Sequence, residues 1–369
     1  MLACIARVFL SVCTGTFHDR SVGKGCLRFL CREGEDKADA TTQTFMLPAN
    51  HDLNHAARAR KDEFYTQLTD IEKELRHYRT LFRNKTVLCN CDDPRVSNFF
   101  KYFTINFEAL GLKRVIATCY KSNTPDLFSN NEAEQAVYQI YEGDKNGNRR
   151  VDLEEINVLP LRGDGDFRSL ECVELLKQAD IVCTNPPFSL FREYLAQLVK
   201  YDKKFLIIGN VNAITYKEVF PLIVSERMWL GQSIHSGDRK FNVPDDYPLN
   251  ASGCGIDEDG RKFIRVKGVR WFTNLDYKER HEPLPLYKRY TPEEYSHYDN
   301  YDAINVNKVS EIPMDYDGVM GVPITFLDKY SPEQFEIVGN EYSLSIDKGR
   351  GYVNGKRMYG RIFIRRRTP

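Results

Sequence analysis

Between residues 85 and 230 the chain repeats one pattern, a short unbroken apolar run followed by a longer stretch whose apolar residues recur at helical spacing. The runs are KTVLCNC (85–91), KRVIATCY (113–120), IVCT (181–184) and KKFLIIGNVNAI (203–214). A segment that is apolar at successive positions has no face to offer to water, so each reads as a strand covered on both sides. The intervening pieces RVSNFFKYFTINFEALG, SLECVELLKQA, SLFREYLAQLVKY and TYKEVFPLIVSERM read as amphipathic helices, the first closed by Gly111. This alternation predicts an α/β fold built on a doubly wound, mostly parallel sheet. Within residues 123–157 the turn-rich GDKNGN lies between QAVYQIYEG and VDLEEINVL, which predicts a hairpin insertion.

The texture changes on either side. Residues 1–45 show no sustained period and read as a poorly ordered N-terminal extension, with a short apolar core but no secretory cleavage pattern. Residues 54–82 are helical in two pieces, broken around FYTQ. After Trp229 strands such as FIRVKGVRWFTNL and GVPITFLDKY alternate with loops rich in Pro, Tyr and Gly. The expected divisions are therefore 1–45, 46–235 and an irregular, strand-containing 236–369.

Charge and cysteine usage narrow the classes of function. Lys and Arg (52) balance Asp and Glu (52), so any binding of a polyanion must come from local clusters. One such cluster closes the chain: GRGYVNGKRMYGRIFIRRRTP holds Arg350, Lys356, Arg357, Arg361, Arg365, Arg366 and Arg367 with no acid. Its RMYGRIFI suits an edge strand with arginines facing solvent. The ten cysteines include no C-x-x-C pair, and Cys89, Cys119 and Cys183 fall in apolar runs. They read as small core residues in a reducing, cytoplasmic compartment, and neither zinc nor any other metal site is expected. No apolar run reaches the ~18 residues of a membrane span.

Chemistry is expected where strands end. In IVCTNPPFSL the two prolines after Asn185 stop the strand, because neither donates to a ladder, and a helix begins just beyond. Taken alone, Asn-Pro-Pro suits a tight βα turn as well as a polar clamp for a flat amine. Three further short motifs precede it: FYTQ at 64–67, CDDPRVSNFF after the first strand, and GDGDF at 163–167. Asp92 and Asp93 alone suit a helix N-cap, and Gly-Asp at 165–166 suits a capped turn.

Together these four motifs resemble those of amino-group DNA methyltransferases that use S-adenosylmethionine. The stretches KDEFYTQL, CNCDDPRVSNFFKYF, TNPPFSLFREY and GVPITFLDKYSPEQFEIVGN resemble the EcoRI-type adenine-specific family over residues 50–345. The resemblance implies a Rossmann-like methyltransferase fold, with 46–235 binding S-adenosylmethionine and catalysing transfer, and 236–369 recognising the target. It implies that the Asn185 oxygen and the Pro186 carbonyl accept the two hydrogens of a base amine, that Pro187 stiffens the turn, and that Phe188 stacks on a base flipped out of the duplex. It assigns Tyr65 and Thr66 to the methionine carboxylate of the cofactor, Asp93 and Pro94 to the methionine portion, and Asp166 and Phe167 to the cofactor adenine. Ser97 and Phe99 stand where the family's second motif continues with glycines.

Arg239, Lys240, Arg265 and Lys267, with Arg365, Arg366 and Arg367, are the expected contacts to double-stranded DNA. The implied activity is N6-adenine methylation at a specific site, with a cognate restriction endonuclease as a partner that the sequence itself does not reveal. The same clamp fits N4-cytosine, an RNA base or a protein glutamine. A non-catalytic DNA-binding protein on this fold is the alternative from another class.

Overall fold

A computed structural model describes residues 64–91, 97–118, 136–148, 150–243, 247, 249–250, 253–346 and 350–367. All belong to the unit spanning Pro48–Pro369. The expectations for residues 1–45 and for Asp93 and Pro94 lie outside the described residues.

The first short strand is β1 (Tyr65–Thr66), followed by α1 (Leu68–Leu75), β2 (Thr86–Asn90), α2 (Asn98–Ile105), α3 (Phe107–Leu110) and β3 (Arg114–Thr118). A hairpin comes next, β4 (Val137–Tyr141) and β5 (Ile156–Pro160). Then follow α4 (Leu170–Gln178), β6 (Ile181–Thr184), α5 (Phe191–Lys200), β7 (Lys204–Asn210), α6 (Phe220–Val224) and β8 (Trp229–Leu230). The apolar runs at β2, β3, β6 and β7 form the parallel centre of an eight-stranded sheet, in the order β3-β2-β6-β7.

The sheet as a whole is mixed, which corrects the mostly parallel expectation. The β4–β5 hairpin adds two antiparallel strands beyond β3, since a hairpin loop can only return the chain antiparallel. On the far side β12 (Val269–Thr273) pairs antiparallel with both β7 and β8. This strand comes from sequence well beyond Trp229 and sits inside the main sheet.

Both faces of that sheet are covered. Leu88, Val182, Phe205 and Ile207 point into one cluster with Leu175, Leu176, Tyr194 and Leu195 of α4 and α5. Val87, Cys89, Ile181, Cys183, Leu206 and Ile208 point into the other, with Ile71 and Leu75 of α1 and Phe99 and Phe103 of α2. Alternate residues of one strand thus enter opposite layers, the reason these runs carry no polar face. Trp271 and Phe272 of β12, both fully buried, extend the two layers in the same way.

Two four-stranded sheets, and a two-stranded ribbon of β16 (Tyr352–Val353) and β17 (Lys356–Arg357), complete the fold. In one, β1 pairs with β9 (Asp238–Asn242), which pairs with β11 (Lys262–Lys267), flanked by β10 (Gly255–Ile256). In the other, β18 (Arg361–Arg366) lies between β14 (Met320–Pro323) and β15 (Phe335–Asn340), with β13 (Ile304–Asn305) outside β14. The expected edge strand at the C-terminus is therefore an inner strand. Ile362, Phe363 and Ile364 are buried, and the apolar centre of RIFIRR explains why two neighbours cover it. Among the described residues no helix is long and apolar enough to cross a membrane.

Candidate active site

The order β3-β2-β6-β7 has a reversal built into it. From β2 the chain steps outward to β3, then returns to place β6 on the other side of β2. The carboxyl ends of β2 and β6 flank the crevice that opens at such a reversal, where α/β sheets bind ligands. Asn90 ends β2, Thr184 ends β6, and the Asn-Pro-Pro-Phe turn follows directly.

Hydrogen bonds tie the two ends together. Thr184 Oγ1 donates to the Asn90 carbonyl, and Tyr194 of α5 donates its hydroxyl to Asn90 Oδ1. Burial raises the Tyr194 phenol far above its ordinary value, so it remains a protonated donor. The Tyr194 ring meets Phe167 edge-on at 5.1 Å between centroids. Phe167 of the GDGDF segment and the Asn-Pro-Pro-Phe turn are thus linked by one chain of contacts. Cys91, the residue after Asn90, has φ 76°, a left-handed backbone uncommon for a non-glycine, and it stands directly before the segment that holds Asp93 and Pro94.

Asn185 is 5% exposed, and its amide is oriented from the FYTQ segment: Asn185 Nδ2 donates to the Phe64 carbonyl. That leaves Asn185 Oδ1 buried with no partner among the described residues. A buried acceptor left unmade costs about 1–3 kcal/mol, a cost that a ligand donor at this place removes. Thr66 Oγ1, also buried, is a second such atom in the same neighbourhood. The Thr66 carbonyl accepts from Asn98 Nδ2 at 2.7 Å, which fixes β1 against α2. Phe188, half-buried, packs its ring edge on Phe64 at 5.8 Å, and Phe64 in turn contacts Phe241 and Tyr247. Pro186 is buried and Pro187 half-buried.

Asp166 is placed differently from a free acceptor. Its Oδ1 accepts from the Arg168 backbone N–H at 2.8 Å and from Arg168 Nε at 2.9 Å, while Oδ2 accepts from an Arg168 guanidinium N–H at 2.6 Å. The Arg168 hydrogen bond holds the carboxyl below its usual range. Its spare lone pairs can still accept a donor from a ligand.

Among known families, the one described as adenine-specific methyltransferase EcoRI matches residues 52–367. The chain belongs to that family. The type II methyltransferase M.EcoRI of Escherichia coli is 53% identical over 315 residues, which cover 85% of this chain and 95% of that protein. The type II methyltransferases M.MpnI of Mycoplasma pneumoniae and M.MgeORF184P of Mycoplasma genitalium are 38% and 37% identical over 335 residues, 86% of this chain and 98% and 99% of theirs. No solved structure matches the chain.

In this EcoRI-family methyltransferase the cations expected at DNA fall into two groups. Arg239 and Lys240 on β9 oppose Val266 and Arg265 on β11, with Lys267 opposite Asp238. Lys240 and Arg265, directly opposite, share the Phe263 ring at 4.8 and 5.7 Å, and Asp257 takes the Lys240 ammonium at 2.8 Å. Like charges facing each other on a sheet are unfavourable, so a third, anionic group is needed, and Asp257 supplies part of it. Arg265 and Lys267 are exposed. This sheet includes β1, so the basic β9–β11 pair is continuous with the Thr66 segment.

The second group is less available. Arg365 is exposed beside Glu336 at 4.0 Å and Arg366 is half-buried, but Arg367 pairs with Glu226 at 3.3 Å and donates to the Phe335 carbonyl. Asn90, Thr184, Tyr194 and Phe64 lie within the stretches that carry the family resemblance, but those motifs give them no role of their own; for the first three the further sequence signal is a polar residue at the end of, or facing, an apolar run. Among the described residues no group of three or more His, Cys, Asp and Glu side chains is arranged to hold a metal ion.

Proposed function

We propose that this type II adenine-specific DNA methyltransferase transfers a methyl group from S-adenosylmethionine to the N6 amine of an adenine flipped out of duplex DNA, as the modification enzyme of a restriction–modification system. The observation that carries this reading is Asn185 Oδ1, a buried acceptor aimed by the Phe64 carbonyl and lacking a donor among the described residues. An exocyclic amine supplies that donor. With Asn185 Oδ1 and the Pro186 carbonyl accepting its two hydrogens, the nitrogen lone pair turns away from the ring and becomes nucleophilic. Phe188 stacks on the extruded base, and Pro187 keeps the turn from relaxing. The amine sheds its proton after attack, so no acidic side chain is required as a base.

S-adenosylmethionine, when bound, supplies an electrophilic methyl on a sulfonium. The residues proposed to hold it are Tyr65, Thr66, Asp93, Pro94, Asp166 and Phe167. Thr66 Oγ1 suits this role as a buried hydroxyl with no partner among the described residues, and Asp166 as an ionised carboxylate close to an aromatic ring. The proposed architecture is the doubly wound Rossmann-like arrangement of methyltransferases. Residues 46–235 form the catalytic part and 236–369 the target-recognition part, with duplex contacts from Arg239, Lys240, Arg265, Lys267, Arg365, Arg366 and Arg367. The proposed compartment is the cytoplasm, and the proposed partner system includes a cognate endonuclease.

Incubation with methyl-labelled S-adenosylmethionine and mixed-sequence duplex DNA, followed by nucleoside analysis, tests the reading. Label in N6-methyldeoxyadenosine is the expected product. Label in N4-methyldeoxycytidine, in RNA or in protein glutamine overturns it.

A further inference from the structure

We propose that Thr66, Asp70 and Arg239 form a socket for the zwitterionic amino-acid end of S-adenosylmethionine, with Thr66 and Arg239 taking its carboxylate and Asp70 its ammonium group. The inference rests on the cofactor reading above: Asp70 joins that site, and Arg239 belongs to it and not to the duplex surface. Arg239 differs from the other cations of its sheet in the face it occupies. Strands β9 and β11 pair Arg239 with Val266 and Phe241 with Ile264, while β1 places Thr66 opposite Phe241. Residues directly opposite, or two apart along a strand, point to the same side, so all five share one face. Thr66, Phe241, Ile264 and Val266 are buried there. Lys240, Arg265 and Lys267 alternate with them and occupy the outward face.

On that inner face two donors are unused. Thr66 Oγ1 and Arg239 Nε are both buried without a partner among the described residues. The Arg239 guanidinium donates from Nη1 to the Asp238 carbonyl at 3.0 Å, and no carboxylate among the described residues forms an ion pair with it. Thr66 and Arg239 are diagonal neighbours across the β1–β9 pair, a Cα separation of ~7–8 Å that a long side chain spans. A hydroxyl and a guanidinium N–H left unpaired call for the same thing, an acceptor. A carboxylate supplies two acceptor oxygens and the charge that complements arginine.

Asp70 supplies the opposite charge. It follows β1 in the first turn of α1 and is half-buried. Burial pushes its carboxyl above the usual range, and the opposing pull of Arg239, then of Lys73, does not cancel that. A carboxylate drawn out of water and short of positive charge is relieved by an ammonium group. One cation, one anion and a hydroxyl together complement an α-amino acid, and they match a DNA phosphate poorly, since a phosphate brings negative charge alone. The same face leads to the base clamp: Phe241 packs on Phe64 at 5.9 Å, and the Phe64 carbonyl accepts from Asn185 Nδ2. A cofactor held by its amino-acid end on this face is therefore seated beside the clamp.

Calorimetric titration of the full-length protein with S-adenosylmethionine, and with decarboxylated S-adenosylmethionine, which keeps the ammonium but lacks the carboxylate, tests the socket. Arg239→Gln and Thr66→Val are each expected to weaken S-adenosylmethionine binding by ~10-fold or more, while the decarboxylated form binds within about twofold of its affinity for the parent. Asp70→Asn weakens both ligands by ~10-fold, because both carry the ammonium. Arg239→Lys, which keeps the charge, falls between Arg239→Gln and the parent. Affinity for duplex DNA is unchanged in all four variants. Equal loss of the two ligands in Arg239→Gln and Thr66→Val overturns the proposal, since the carboxylate is then not what these side chains hold. Loss of duplex affinity in Arg239→Gln with S-adenosylmethionine binding intact overturns it as well, and makes Arg239 a duplex contact. A parent protein that binds no S-adenosylmethionine overturns the cofactor reading itself, a result distinct from binding that is indifferent to these three side chains.

Discussion

Asn185 divides its amide in two: its nitrogen is committed to the Phe64 carbonyl, and its buried oxygen has no partner among the described residues. Asn185→Ala is expected to lower methyl transfer by ~10²-fold or more, the usual loss when a preorganised polar contact is removed. Cofactor binding and Tm change little, because the side chain lies in a turn and contributes little apolar packing. Turnover measured at saturating cofactor checks this, and near-parental turnover removes Asn185 from the transfer step. Asp166→Ala is expected to weaken S-adenosylmethionine binding by ~10-fold while duplex binding holds. Unchanged cofactor affinity by calorimetry returns Asp166 to the structural partnership with Arg168. The Asn-Pro-Pro-Phe turn was legible in the sequence because two adjacent prolines dictate backbone shape locally. Tyr194 and Asn90 were not legible, since their hydrogen bond joins residues 104 positions apart and neither breaks the pattern of its own element.

At the scale of elements, β18 shows how a charge run misleads. Seven cations without an acid read as a solvated strip, yet Ile362, Phe363 and Ile364 between them are buried and paired on both sides. Deleting the chain from Arg365 would remove ladder partners of Phe335 and Glu336, so loss of DNA affinity in a truncated protein would not isolate charge. Substitution does. Arg365→Gln with Arg366→Gln is expected to flatten the slope of log affinity against log salt by up to ~2 units, roughly 0.9 for each phosphate that is no longer neutralised. The methylated sequence stays the same. A slope identical to the parent's would confine phosphate binding to other elements, such as the β9–β11 pair. The four central strands were readable because each is a continuous apolar run. The inner position of β18 was not, because pairing with residues 22 to 44 positions earlier leaves no mark on a local period.

For the whole molecule the decisive element is β12. Trp271 and Phe272 sit in opposite core layers of the main sheet, and Arg270, itself buried, forms a bidentate pair with Asp328 at 2.8 and 3.0 Å. Sequence texture changes near Trp229, but the sheet does not end there: residues 269–273 hydrogen-bond to 206–210. Trp271→Ala is expected to cost about 3–5 kcal/mol of folding stability, as for other large buried aromatics. Denaturant unfolding followed by fluorescence and by circular dichroism checks it, with one coincident transition expected for the parent.

The placement of β12 also bears on engineering. A designer wishing to retarget this enzyme by exchanging its C-terminal half with a relative's would cut near residue 235, where the composition shifts. Such a seam leaves β7 with an unpaired edge, or pairs it with a foreign strand whose side chains were shaped for other helices. Viable chimeras keep the strands and core of residues 203–275 and the partner of Arg270 from a single parent, and change within that block only outward-facing side chains of β9 and β11.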